Sequence, residues 1–196
     1  MQRKTFDLLV TAVGGMLCVV LVAAGIFLTL SANFANNSVH AQLAQQEITF
    51  PALGSKALAS PQIGPYLNMY AGQQLTTGAQ AKAYADHFIG VHVTEIAGGK
   101  TYAQVSAEAQ ANPSNTALKA QQASLFQGQT LRGLLLTAYA FSVFGEIAGI
   151  AAVVVWVLAG IMLILTILGL VHYRRVPEDK VVLPHSAPSE KVLVTA

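Results

Sequence analysis

From Gly133 to Val171 the chain is apolar, and Glu146 is the only charged residue in the run. As a helix rising ~1.5 Å per residue, it would be roughly 58 Å long, about twice the hydrocarbon thickness of a bilayer. A membrane span plus an extension beyond it accounts for that length. His172, Tyr173, Arg174 and Arg175 close the run and read as an aromatic and cationic anchor at a cytoplasmic face. Counting inward by ~20–25 residues puts this span at 147–171 and leaves 133–146 as an interfacial or extracytoplasmic extension of the helix. Glu146 then falls at the outer headgroups, where a carboxylate can be hydrated or paired. An interfacial structural role follows, with ion or proton handling as the alternative reading.

A second run, Leu8 to Leu30, is uncharged throughout and predicts the other span. A basic start followed by an apolar run also describes a signal peptide. This run is longer than the ~7–15 residues of a secretory apolar core, and its best cleavage candidate, Val39-His40-Ala41, lies far downstream. A retained span at 8–30 is therefore expected. Arg3 and Lys4 lie in the first segment, 1–7; Arg174, Arg175, Lys180 and Lys191 lie in the last, 172–196. Basic residues favour the cytoplasm, so both termini are predicted inside a plasma membrane crossed twice. The tail 172–196, with Pro177, Pro184 and Pro188, is expected to be disordered.

That topology leaves 31–132 outside as one extracytoplasmic domain, and its signals are helical. Residues 31–47 are rich in Asn, Gln and Ala and are expected to carry the first helix out of the membrane. Pro51, Pro61 and Pro65, with Gly54, Gly64 and Gly72, predict an irregular crossing segment from Ile48 to Leu75. Thr77 is placed to cap a helix over 78–97, which Gly98-Gly99 would stop. Thr101 with Gln104 forms a capping-box signature for a helix to Ala111, ended by Asn112-Pro113-Ser114. A third helix from Thr116 to Phe126 feeds into the final run near Gly128. The predicted class is an all-α membrane protein, two transmembrane helices carrying an external helical domain of about 100 residues.

Composition sharpens this reading. At 54% hydrophobic and 10% charged, the chain is too apolar for an ordinary soluble domain. A net charge of +2 gives no electrostatic footprint for nucleic acid, and a lone Cys18 forms no intrachain disulfide.

A further signal lies in two stretches: His87-Phe88-Ile89-Gly90-Val91-His92 through Gly98-Gly99-Lys100-Thr101-Tyr102-Ala103-Gln104-Val105-Ser106, and Gly128-Gln129-Thr130-Leu131-Arg132-Gly133-Leu134-Leu135-Leu136. They resemble a group of two-span actinobacterial membrane proteins of unknown function. The resemblance implies a bacterial plasma membrane and carries no activity.

Candidates for chemistry are few. His87 and His92, five apart, would point about 140° from each other on an α-helix, so they cannot hold one metal from one face. His92 and Glu95, three apart, could share a face, but a third ligand would have to come from His40 or Asp86. The better reading is polar edges on a helix whose Tyr84, Phe88, Val91 and Ile96 face a core, with Lys82 and Asp86 as an i,i+4 pair. No nucleophile elbow, P-loop or dinucleotide fingerprint is present, and neither an enzyme nor a cofactor is expected.

Small residues recur every seven positions in both spans: Thr11, Cys18, Gly25 and Ala32, then Ala138, Gly145, Ala152, Ala159 and Thr166. Gly145 and Gly149 also form a Gly-x-x-x-Gly. Such stripes let membrane helices approach closely. An antiparallel hairpin would set Thr11 opposite Thr166, Cys18 opposite Ala159, Gly25 opposite Ala152 and Ala32 opposite Gly145. The expected function is non-catalytic: an accessory or scaffold protein in the lipid bilayer that binds another envelope protein or forms a homo-oligomer. An external ligand or metal sensor, or a small transporter using Glu146, is the alternative.

Overall fold

The computed structural model describes residues 3–177, and helices dominate them. Helix α1 is Arg3–Ala44 (42 residues), and α7 is Thr116–Arg175 (60 residues). Between them lie α2 (Lys56–Ala59), α3 (Gly64–Leu67), a 3₁₀ turn (Asn68–Tyr70), α4 (Gly78–Tyr84), a π turn (Ala85–Ile89), α5 (Gly90–Ala97) and α6 (Tyr102–Ala111). No strand forms among the described residues. Both α1 and α7 are long and apolar enough to cross a membrane. The third predicted helix, 116–126, does feed into the final run: it is the start of α7, which passes through Gly128 and Gly133 without a break. The expected disordered tail is helical over its first residues, 172–175; Lys180, Lys191, Pro184 and Pro188 lie outside the described residues.

The chain divides into two compact units. One holds α1 up to Phe27 together with α7 from Ala151. Here the helices run antiparallel, with large side chains set against small ones. A Cβ on Gly25 would lie 3.0 Å from the Trp156 indole, one on Gly14 would lie 3.2 Å from Thr166 Oγ1, and one on Gly169 would lie 2.8 Å from Thr11 Oγ1. Ala152 and Ala159 are buried here.

The other unit is Leu28–Ile150. Its main core gathers Val39 and Leu43 of α1, Phe50, Leu58, Ile63, Leu67, Leu75, Ala81, Ala85 and Leu135 of α7. A smaller cluster joins Val93, Ala97, Val105 and Leu125. The segment expected to be irregular has its own order. Phe50 N–H donates to Gln73 O at 2.9 Å, and Leu75 N–H donates to Ile48 O at 2.8 Å, around an antiparallel bridge between Thr49 and Gln74. That pairing closes the intervening turns into a loop and fixes Phe50 against Tyr70 and Tyr84, at centroid distances of 5.2 and 5.3 Å.

Local signals set the helix ends. Thr77 and Thr101 each accept the N–H of the glutamine three residues on, and Gln80 and Gln104 answer with a side-chain oxygen on the cap N–H. Gly98 stops α5 at φ +58, the left-handed conformation that glycine adopts without a Cβ clash.

Between α4 and α5 the helix widens by one residue, and Gly90 N–H bonds to Ala85 O. On an uninterrupted α-helix Val93 would lie about 80° round from Ala85. Absorbing one extra residue takes back about 100°, which brings the two within about 20°. Ala85 can then face the main core and Val93 the smaller one from nearly the same side.

Candidate functional site

Two features of the Leu28–Ile150 unit have the makings of a site. The first is a charged cluster with Asp86, on the π turn, at its centre. Lys82 Nζ donates to Asp86 Oδ2 at 2.6 Å, and Arg132 Nη2 of α7 donates to Oδ1 at 3.0 Å. Sequence spacing shows the first contact but gives no sign of the second, which joins residues 46 apart. The Arg132 and Asp86 side chains are 37% and 24% exposed, which makes this a half-buried tie between the π turn and α7. Lys82 also lies 5.4 Å from the centre of the Tyr139 ring.

The hydrogen bond from Lys82, joined by Arg132, holds the Asp86 carboxyl below its ordinary value of 3.8 against the opposing effect of burial. The same hydrogen bond raises Lys82 above its ordinary 10.5. Burial alone pushes the Tyr84 phenol up.

A depressed carboxyl pKa stabilises the fold above the unfolded value of the carboxyl, and that contribution is lost as pH falls through the folded value. Wild type is therefore expected to lose stability below about pH 4 more steeply than Asp86→Asn. Proteolytic susceptibility of the Leu28–Ile150 unit across an acid series measures the difference; parallel curves would show that Asp86 contributes nothing to acid stability.

Beside this cluster opens a shallow pocket of about 330 Å³, walled by Gln62, Asp86, Gly90, Val91, Thr94, Gln129 and Arg132. Arg132 Nε is buried without a hydrogen-bond partner among the described residues.

The second feature is an apolar groove of about 560 Å³ between the C-terminal part of α1 and α7. Phe34, Val39 and Leu43 form one wall, and Leu131, Leu134 and Phe141 form the other. Ser38, Gln42 and Gln46 run along its α1 flank, and none of its walls carries a charge. Phe34, Leu134 and Phe141 are exposed, as are Phe126 and Phe144 on α7.

The candidates named from the sequence fall elsewhere. The His87 ring stacks on Tyr66 at 3.6 Å. The His92 ring lies 4.6 Å from Phe88, and its Nδ1 is 2.7 Å from Phe88 O. The π turn means that the 140° estimate for the two histidines, made for a regular α-helix, does not describe this segment. Glu95 is exposed on α5. No group of three metal-ligating side chains gathers among the described residues. Glu146 is exposed and makes no hydrogen bond or ion pair among the described residues. Arg174 and Arg175 stand exposed in the last turn of α7.

The small residues do meet the opposite helix, mostly about one turn from the expected register. Cys18 Sγ lies 3.8 Å from Ala159 O. The nearest neighbour of a Cβ on Gly25, however, is Trp156 and not Ala152, and Thr11 lies against Gly169 and not Thr166. In the Leu28–Ile150 unit Ala32 lies against Gly149, while Gly145 receives Asn36, whose Oδ1 would be 2.7 Å from an added Cβ. Gly25, Gly145 and Gly169 each take a bulkier side chain from the facing helix, which fills space that a small residue there would leave empty.

A cysteine at position 159 is accordingly expected to join Cys18 under mild oxidation within one chain. Cysteines at Leu158 or Ile161, which are exposed on α7, should join far less. Protease nicking of the Leu28–Ile150 unit followed by non-reducing electrophoresis reads the result. Equal yields at all three positions would contradict this packing.

Compared with protein-family models, curated proteins and solved structures, the chain matches none.

Proposed function

We propose that this chain is a non-catalytic accessory or scaffold protein of the plasma membrane. In this reading α1 and α7 cross the bilayer, both termini are cytoplasmic, and the Leu28–Ile150 unit stands outside. The observation that carries it is the uncharged groove between α1 and α7, with Phe34, Leu134 and Phe141 exposed at its walls. Contiguous apolar surface on a water-facing unit marks an interaction site. Two parallel walls with an apolar floor suit the apolar face of a helix, which in the membrane setting belongs to another envelope protein. A bound partner would remove Phe34, Leu134 and Phe141 from water together.

The test places a photo-crosslinking amino acid at Leu134 in the full chain in native membranes, with Lys119 and Gln104 as exposed controls off the groove. A discrete adduct with another envelope protein, at Leu134 only, is expected. An adduct at twice the mass of the chain would make the partner a second copy. Capture at all three positions alike, or at none, would overturn a groove-based function.

A further inference from the structure

We propose that the pocket beside Asp86 is a binding site for a small carboxylate anion, with Arg132 as its principal contact. This is independent of the groove and of what fills it. Lys82, Asp86 and Arg132 carry charges of +1, −1 and +1, so the cluster keeps one positive charge after its internal pairing. Both Asp86 oxygens are engaged by cations, one by Lys82 and one by Arg132.

The arginine is in the opposite condition. A guanidinium carries five N–H donors in a planar fork suited to carboxylate, and among the described residues a single one is used, by Asp86 Oδ1, while Nε is buried. Asp86 thereby orients the guanidinium at the wall of the pocket. Gln62 and Gln129 add carboxamides that make no hydrogen bond among the described residues, while Thr94 turns its hydroxyl back to Gly90 O at 2.8 Å.

Backbone geometry points to the same place. A Cβ on Gly90 would lie 3.2 Å from Ala85 O and in ordinary contact, 3.5 Å, with Arg132 Nε, so the guanidinium packs along the start of α5. The π turn that carries Asp86 ends at this glycine. Single π turns inside α-helices are rare and gather at functional sites. At about 330 Å³ the pocket is at the small end of ligand sites, which favours a compact acid over a lipid headgroup with its chains.

The experiment uses the full-length protein in detergent micelles at constant ionic strength. It is titrated calorimetrically with acetate, succinate, inorganic phosphate and tetramethylammonium. Saturable binding of acetate and succinate is expected, each displacing the other, with none for tetramethylammonium. Arg132→Gln should weaken succinate by at least about tenfold, equivalent to ~1.4 kcal/mol. Arg132→Lys should weaken it similarly, because a point charge lacks the fork.

Should Arg132→Gln lose helicity or protease resistance, Gln129→Glu decides. It adds an exposed carboxylate to the pocket wall, leaves the Asp86 pair intact, and should also weaken succinate about tenfold. Three results would overturn the assignment: no saturable carboxylate binding up to about 10 mM, undiminished binding in both Arg132→Gln and Gln129→Glu, or binding of phosphate alone.

Discussion

Phe50→Ala is expected to be the most damaging single truncation in the Leu28–Ile150 unit, lowering its stability by about 3–5 kcal/mol. Phe50 is among the largest fully buried side chains, 2% exposed, and sits on the segment that pairs with Gln73 through its own N–H. Its ring meets Tyr70 in a tilted pair and Tyr84 edge-on. Truncation leaves a cavity beneath both tyrosines, and the closed loop above it cannot collapse freely because its ends are held by backbone hydrogen bonds. Urea titration of the detergent-solubilised chain, followed by proteolytic cleavage between Ile48 and Leu75, measures the loss. Phe50→Leu should recover more than half of it, since it restores most of the apolar volume. A cost below about 1 kcal/mol for the alanine variant would show that this core is not the one holding the unit together.

The second large effect is overpacking at Gly78. This residue opens α4, and a Cβ there would collide with the Ser142 side chain on α7 while lying 3.4 Å from Tyr139 Cα. Ser142 is itself buried, with its hydroxyl donating to Tyr139 O at 2.7 Å, so it has little room to turn away. Gly78→Ala should cost about 1–3 kcal/mol even though alanine is the better helix former. The rescue is specific. Ser142→Gly removes the colliding Cβ and alone should cost roughly 1 kcal/mol in the middle of a helix, yet combined with Gly78→Ala it should recover stability over Gly78→Ala alone. Ser142→Ala keeps the Cβ and should rescue much less. A double-mutant cycle read by the same urea titration checks it, and strict additivity would deny the close approach of α4 and α7.

Features written in the sequence and features supplied by packing separate cleanly at particular residues. Thr77 with Gln80 and Thr101 with Gln104 could be read as helix starts because a capping box joins a side chain to backbone only three residues away. Gly98 could be read as a stop because its left-handed φ is a property of glycine itself. The π turn could not be read. It lets Ala85 meet one core and Val93 another, and no residue between them announces an extra position. The Arg132–Asp86 tie was equally hidden. Arg132 reads as the last charge before an apolar run, and its partner lies 46 residues upstream on that π turn.

The sequence by itself determined the two long apolar helices, the caps and stops of the short ones, and the recurrence of small residues on both long helices. Each of these depends on hydrophobicity summed along a run or on bonds between near neighbours, and both survive without knowledge of what packs where. Only the tertiary structure decided which small residue receives which large one, so that Gly25 takes Trp156 and Gly145 takes Asn36. It also decided that Ile48 and Phe50 pair with Leu75 and Gln73, and that Asp86 is shared between Lys82 and Arg132. Those choices are made by filling space and satisfying charge across distant segments, and a local pattern fits several such arrangements equally well until the whole core is assembled.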